Sequence, residues 1–345
     1  MTPVELSRTV LCAVRRAVDE GKLSVAVPAR AVVSAPGPGG TGDYATNIAL
    51  QLARPAGRTP RYVAEVLRER ISVAPGVRDV AITGPGFLNI SLDSAAPAAL
   101  VREILSQGLR YGHSDALAGQ VLGVRLPIAY EARADVIADA VVRIVATQGG
   151  RVHIHRGTGE QSAAHDVDVD VLDLRTLPPA PRDPTPLGPD AARWALLHPA
   201  PHDRPRIGAE HLVQRESNPL FRVRYAYART RALGRNAADL GVTAHPGDLT
   251  DLPAAPPATP PALLTPLADH PRLLLGAATH RAPDRLARHL VTVADATLAF
   301  LPTVLPLGDE KPSAAHRARL ALAEAAGTVL AGGLSLLGID APEYL

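Results

Sequence analysis

Apolar positions in the first 110 residues follow two periods. Residues 4–19 and 96–107 place an apolar side chain at every third or fourth position, which predicts helices. Thr59-Pro60 opens another, with Thr59 as N-cap and Pro60 at the first helical position, running to about Ile71. Residues 77–92 alternate as two strands around Gly84-Pro85-Gly86. The apolar run 23–33 predicts one or two strands, Pro36–Gly40 a turn and residues 44–54 a helix. Asp43, Tyr44 and Asn47 are expected to cap and pack that last helix.

The middle reads β-α-β-β: strands at 121–129, 151–156 and 167–174, and a helix at 132–147 ended by Gly149-Gly150. This piece is too small for a complete nucleotide-binding domain. Residues 177–189 are proline-rich and predict a linker. From Asp190 the pattern is helical, with helices at 190–198, 219–240, 262–279, 283–300 and 313–337 and a proline-rich loop at 246–261. No internal repeat is visible. The expectation is an α+β multidomain chain: a small α/β module over 1–110, a βαβ middle over 111–186 and an all-α bundle over 187–345.

Composition narrows the chemistry. Of 36 Lys+Arg, only Lys22 and Lys311 are lysine, which leaves 34 arginines and excludes lysine chemistry between residues 23 and 310. Net charge is +2, so any nucleic-acid site must be a local patch. Aromatics make up 3%, so the cores must be built from Ala, Val and Leu. Cys12 is the only cysteine, which excludes a disulfide framework. No secretory signal and no run of 18 apolar residues is seen, and a soluble cytoplasmic monomer without membrane contact is expected.

Residues 218–235 concentrate charge. Arg222, Arg224, Arg229, Arg231 and Arg235 are interleaved with Phe221, Tyr225 and Tyr227, and no acid falls between Glu216 and Asp239. On a helical wheel Val223, Ala226, Tyr227 and Thr230 share a face, arginine rows flank it, and Tyr225 projects between those rows. Rings beside guanidinium groups suit unpaired RNA bases and their phosphates. A buried helix whose arginines solvate its edges fits the same pattern.

His153 and His155 share one strand face, and Asp166, Asp168 and Asp170 share another. A transition metal is one reading and a wet sheet face the simpler one, so no metal and no cofactor is assigned. Gly157-Thr158-Gly159 is too short a signal for a phosphate-binding loop.

Several motifs in order resemble arginyl-tRNA synthetases, class I enzymes. GDYATNIALQLARPAGRTPRYVAEVL (42–67) and ITGPGFLNISL (82–92) resemble that family's N-terminal domain. DAARWALL (190–197), NPLFRVRYAYAR (218–229), LGDE (307–310) and residues 319–345 resemble its DALR-type anticodon-binding domain. YGHSDALAG (111–119) and ARADVIADAVVRIV (132–145) resemble parts of a Rossmann-type catalytic domain, here reduced to a degenerate remnant. The resemblance implies tRNA or a structured RNA as partner. Its anticodon side would use Arg222, Arg224, Tyr225, Arg229, Arg231, Phe300, Tyr344 and Leu345, and its D-loop side Phe87 and Asn89.

The departures sit at the chemical centre. The family's His-Ile-Gly-His signature should stand just before residue 132, where this chain has Ile128-Ala129-Tyr130-Glu131. Glu131 would set a negative charge against ATP phosphates. The Lys-Met-Ser-Lys-Ser type loop has no counterpart, so the positive groups that stabilise developing phosphate charge are missing. Phe300 is followed by Leu301-Pro302, which removes a second aromatic and should break the helix. These features predict a non-catalytic pseudo-synthetase with no catalytic residues. Retained or partner-assisted arginine–tRNA ligation, and a helical protein-interaction module, are the alternatives.

Overall fold

The computed structural model describes residues 1–37, 40–93, 95–157, 171–249 and 262–345. Two compact units emerge, one of Met1–Leu100 and one beginning at Val101 and including the C-terminus.

In the first unit, helix α1 (Pro3–Asp19) starts with a capping box in which Thr2 and Glu5 satisfy each other's backbone N–H. Strands β1 (Val33–Ser34), β2 (Tyr44–Thr46), β3 (Val77–Thr83) and β4 (Phe87–Leu92) form an antiparallel sheet in the order β1-β2-β4-β3. Helices α2 (Ile48–Ala53) and α3 (Pro60–Ile71) complete the layer. Leu6, Val10 and Val14 of α1 pack with Val63, Leu67 and Ile71 of α3 and with Leu88 and Ile90 of β4 in one core.

Two local expectations change. The run 23–33 forms a strand only at Val33–Ser34, because Leu23, Val25 and Val27 pack on the core as irregular chain. Tyr44–Thr46 is strand rather than helix, and Asp43 accepts a hydrogen bond from Leu92 N at 2.7 Å, so it ties down β4. Thr46, not Asn47, accepts the bond from the first helical amide of α2.

Helix α4 (Ala96–Gln107) carries the chain into the second unit. There β5 (Val121–Leu126) pairs in parallel with β6 (Arg151–Arg156) and with β7 (Val171–Asp173), in the order β6-β5-β7. Helix α5 (Ala132–Ala146) is the crossover between β5 and β6. The helices α6 (Pro189–Leu197), α7 (Pro219–Asp239), α8 (Leu264–Thr279), α9 (Pro283–Phe300) and α10 (Ala314–Leu337) form the bundle. α5 packs on α6, α8, α9 and α10.

α10 is the central element. Among the described residues it is the one helix long and apolar enough to cross a membrane, but 72% of its apolar window is buried by its neighbours. Gly327 and Gly333 let it approach closely: an added methyl group would come within 2.5 Å of Thr230 on α7 or 2.4 Å of Leu290 on α9. Pro302 stops α9 at Phe300, and Leu301–Thr303 continues as one 3-10 turn. Trp194 on α6 is fully buried and stacks on His198, with ring centroids 5.1 Å apart.

Candidate nucleic-acid interface

Asn218 starts α7. Its side-chain oxygen accepts from the amides of Leu220 and Phe221, and its amide donates to the carbonyls of His211 and Val213. One residue thus caps the helix and fixes the preceding loop against it. Leu220, Val223, Ala226 and Thr230 face the core. Tyr227 is half-buried, and burial raises its phenol pKa.

The arginines of this helix are less free than their sequence suggests. Arg222 grips Asp295 of α9 through two bonds of 2.8 and 2.9 Å. Arg224 lies 3.3 Å from Asp190 of α6. Arg231 pairs with Glu343 at 2.9 Å, and Arg235 reaches the same carboxylate at 3.8 Å while sitting 4.3 Å above the Tyr344 ring. Arg229 is the one of the five without a carboxylate partner among the described residues. It donates to the Tyr225 hydroxyl at 3.3 Å. Tyr225 stacks on Phe221 at 5.3 Å between centroids, so the two rings and Arg229 form a continuous strip along α7.

The chain terminus is delivered to the same place. Gly338, at φ 70°, ends α10 in a left-handed cap, with the Ile339 amide bonded to the Leu334 carbonyl. Arg143 and Arg193 donate to the carbonyls of Leu336 and Leu337 at 3.0 and 2.9 Å, where cations suit the helix dipole. Asp139 bridges these guanidinium groups. Burial pushes its pKa up, but the bonds from Arg193 and Arg143 outweigh that and lower it. Asp190 then accepts from the Asp340 amide at 3.2 Å. A cleft of about 250 Å³ results, with Asp190, Gln214, Asn218, Phe221, Arg224 and Leu345 in its wall.

Family models match both ends of the chain. The arginyl tRNA synthetase N terminal domain matches residues 5–92, and the DALR anticodon binding domain matches residues 223–345. The arginine–tRNA ligase of Renibacterium salmoninarum is 44% identical over 163 residues, which is 44% of this chain and 30% of the ligase. That of Pseudarthrobacter chlorophenolicus is 26% identical over 555 residues and is covered in full, as is this chain. The chain belongs to the arginyl-tRNA synthetase family. The solved Thermus thermophilus arginyl-tRNA synthetase has the same fold, with a TM-score of 0.66 at 15% identity and full coverage of both chains.

Measured against the arginyl-tRNA synthetase pattern, two of the expected contact residues are not on the surface. Phe300 is only 7% exposed, because α9 turns it into the bundle core. Asn89 is 2% exposed and donates to the Thr83 hydroxyl at 2.6 Å. It lies on the central strand β4, flanked by β2 and β3, with Gly40 close against its side-chain oxygen. Phe87 stays 41% exposed at the start of β4, and Tyr344 and Leu345 are 72% and 54% exposed. His153 and His155 are exposed on β6, while Asp166, Asp168 and Asp170, with Thr158 and Gly159, lie outside the described residues. Among the described residues no cluster could hold a metal.

The start of α5 is where the sequence resemblance leads us to expect the family's first catalytic signature. Glu131 caps this helix, accepting from the amides of Arg133 at 3.1 Å and Ala134 at 2.7 Å, and from Ala180 at 3.1 Å. Arg133 is fully buried. Its guanidinium donates to the carbonyls of Pro178, Ala200 and Asp203 at 2.8–2.9 Å, which pins the proline-rich segment over the helix. Arg156 is paired with Asp135 on the first turn. Sequence reading placed Glu131 here as a stray charge. Its capping role could have been read from its position before a helix.

Proposed function

We propose that this arginyl-tRNA synthetase relative binds tRNA, or an RNA folded like it, without activating an amino acid. The observation that carries the non-catalytic part is at the start of α5. The helix amides that could cradle phosphate are taken by the Glu131 carboxylate, and the neighbouring Arg133 is spent on three backbone carbonyls. An anion arriving there would meet a negative cap and no free cation on that turn. The RNA-binding part rests on the strip of Phe221, Tyr225 and Arg229 beside the terminal residues Tyr344 and Leu345. In this reading the protein works as a cytoplasmic monomer.

Two measurements on the full chain test it. Arginine-dependent exchange of pyrophosphate into ATP is expected to be absent. Filter binding of total tRNA is expected at low salt and should weaken steeply between about 50 and 200 mM salt, as phosphate-driven binding does. The names of the relatives favour a second reading, retained or partner-assisted arginine–tRNA ligation. Robust exchange would replace the first reading with this one. Absence of tRNA binding at low salt, with ribonuclease-resistant capture of a protein partner, would favour an interaction module instead.

A further inference from the structure

Helix α7 carries two rows of side chains outside its core face. Phe221, Tyr225 and Arg229 line one, and Arg224, Arg231 and Arg235 line the other, about a quarter turn round the helix. Each guanidinium of the second row meets a carboxylate, but the carboxylates are held differently. Asp190 stands on α6, a packed helix of the bundle, and in its pair with Arg224 both side chains are only 23% exposed. Glu343 is the third residue from the C-terminus. It takes Arg231 at 2.9 Å and Arg235 at 3.8 Å, and these three side chains are 39–50% exposed.

The tail that delivers Glu343 is lightly fastened. Among the described residues its last backbone hydrogen bond runs from the Asp340 amide to Asp190. Ala341-Pro342-Glu343-Tyr344-Leu345 follow, and the polar contacts that tie them to α7 are the Glu343 carboxylate and the Tyr344 ring against Arg235. Arg231 turns both Nε, at 3.1 Å, and Nη2, at 2.9 Å, to one Glu343 oxygen. That guanidinium fork suits a phosphate oxygen equally well. An exposed pair of this kind is weak, so a phosphate can displace it. The pairs of Arg222 with Asp295 and of Arg224 with Asp190 instead join helices of the bundle.

We propose that Glu343 is a built-in competitor of RNA, whose carboxylate occupies Arg231 and Arg235 in the free protein and yields them to an arriving phosphate. The contact is autoinhibitory: it lowers affinity for phosphate chains while leaving the strip of Phe221, Tyr225 and Arg229 open. The inhibiting group is the carboxylate and not the tail as a whole, since Tyr344 and Leu345 belong to the RNA-binding surface proposed above. The inference rests on that RNA-binding reading and names the regulation of the same site.

The test uses the full chain and fluorescein-labelled total tRNA, read by anisotropy over a series of salt concentrations. Glu343→Gln is expected to strengthen binding about two- to fivefold at low salt, the range that release of an exposed ion pair allows. Its salt slope should steepen by about one, as a freed guanidinium takes a phosphate. Asp340→Asn removes the same charge from the same tail, but that carboxylate has no cationic partner among the described residues, so binding should stay close to the parent. In a chain carrying Arg231→Ala and Arg235→Ala, adding Glu343→Gln should change nothing. Thermal melting should be unchanged by Glu343→Gln, since the pair is exposed. If the parent binds tRNA and Glu343→Gln matches it or binds more weakly, this inference is wrong and the RNA-binding reading stands. An equal gain from Asp340→Asn, or a gain that persists without the two arginines, overturns it as well, because a general field would be the cause. If neither the parent nor Glu343→Gln binds tRNA at low salt, both readings fail.

Discussion

The N-terminal turn of α5 and the exposed strip of α7 both carry arginine, and they use it in opposite ways. Arg133 on α5 is out of water, and its guanidinium is bonded to three carbonyls. Arg229 on α7 is exposed and holds only a tyrosine hydroxyl at 3.3 Å. The first is sealed from solvent and works as a clamp. The second keeps most of its donors and its charge. Counting basic residues does not separate these cases; the number of acceptors already committed to each guanidinium does.

The largest expected effect breaks the clamp. Arg133→Met would leave three buried carbonyls without a donor and should destabilise the second unit by on the order of 4 kcal/mol in urea unfolding. A loss below about 1 kcal/mol would mean that solvent already reaches those carbonyls, and the contrast with Arg229 would fail.

Buried histidines sharpen the same contrast. Tyr111, His270 and His289 stack in series at 5.8 and 5.3 Å between centroids. Burial lowers the His289 pKa to about 4; Asp269 pulls it up and Arg272 pulls it down. Burial also lowers His270 well below its ordinary value, helped by His289 and His113. The unfolded chain therefore binds more protons than the folded one below about pH 6.5. Stability is full above that pH and is lost as pH falls toward 4, by up to about 3 kcal/mol for His289 alone. Urea midpoints measured from pH 7 to pH 4.5 should fall, and His289→Phe should flatten the curve.

A smaller effect is expected at the end of α10. Gly338→Ala puts a side chain in a left-handed conformation and 2.5 Å from the Arg143 guanidinium. The expected cost is about 1–2 kcal/mol, measured as a shift in the thermal midpoint, with weaker tRNA binding because the terminal residues move. The smallest effect on stability belongs to Arg229→Ala, within about 0.5 kcal/mol of the parent, yet the salt slope of tRNA binding should drop by about one. Arg222→Ala should change that slope less, since Asp295 already holds its charge.

What could be read from the sequence was what neighbours in the chain decide. Thr59-Pro60 marked the start of α3, and Gly84-Pro85-Gly86 the turn between β3 and β4, because caps and turns depend on adjacent residues. The helices of the bundle were legible within one or two residues for the same reason. The run 23–33 was misread because an apolar stretch without a period can be buried as irregular chain. The neutralisation of α7 was invisible, since Asp190, Asp295 and Glu343 come from three other places in the chain. Asn89 looked available because nothing in its own strand shows that Gly40 lies against it or that its amide is spent on Thr83.

The placement of Trp194 has a practical consequence. It is the single tryptophan, and it is sealed inside the bundle against an imidazole. Indole emission therefore reports the melting of the helical half alone, and the N-terminal half is optically dark at that wavelength. A dye on the exposed Cys12, the single thiol, would give that half its own colour, so the two could be watched unfolding independently in one cuvette.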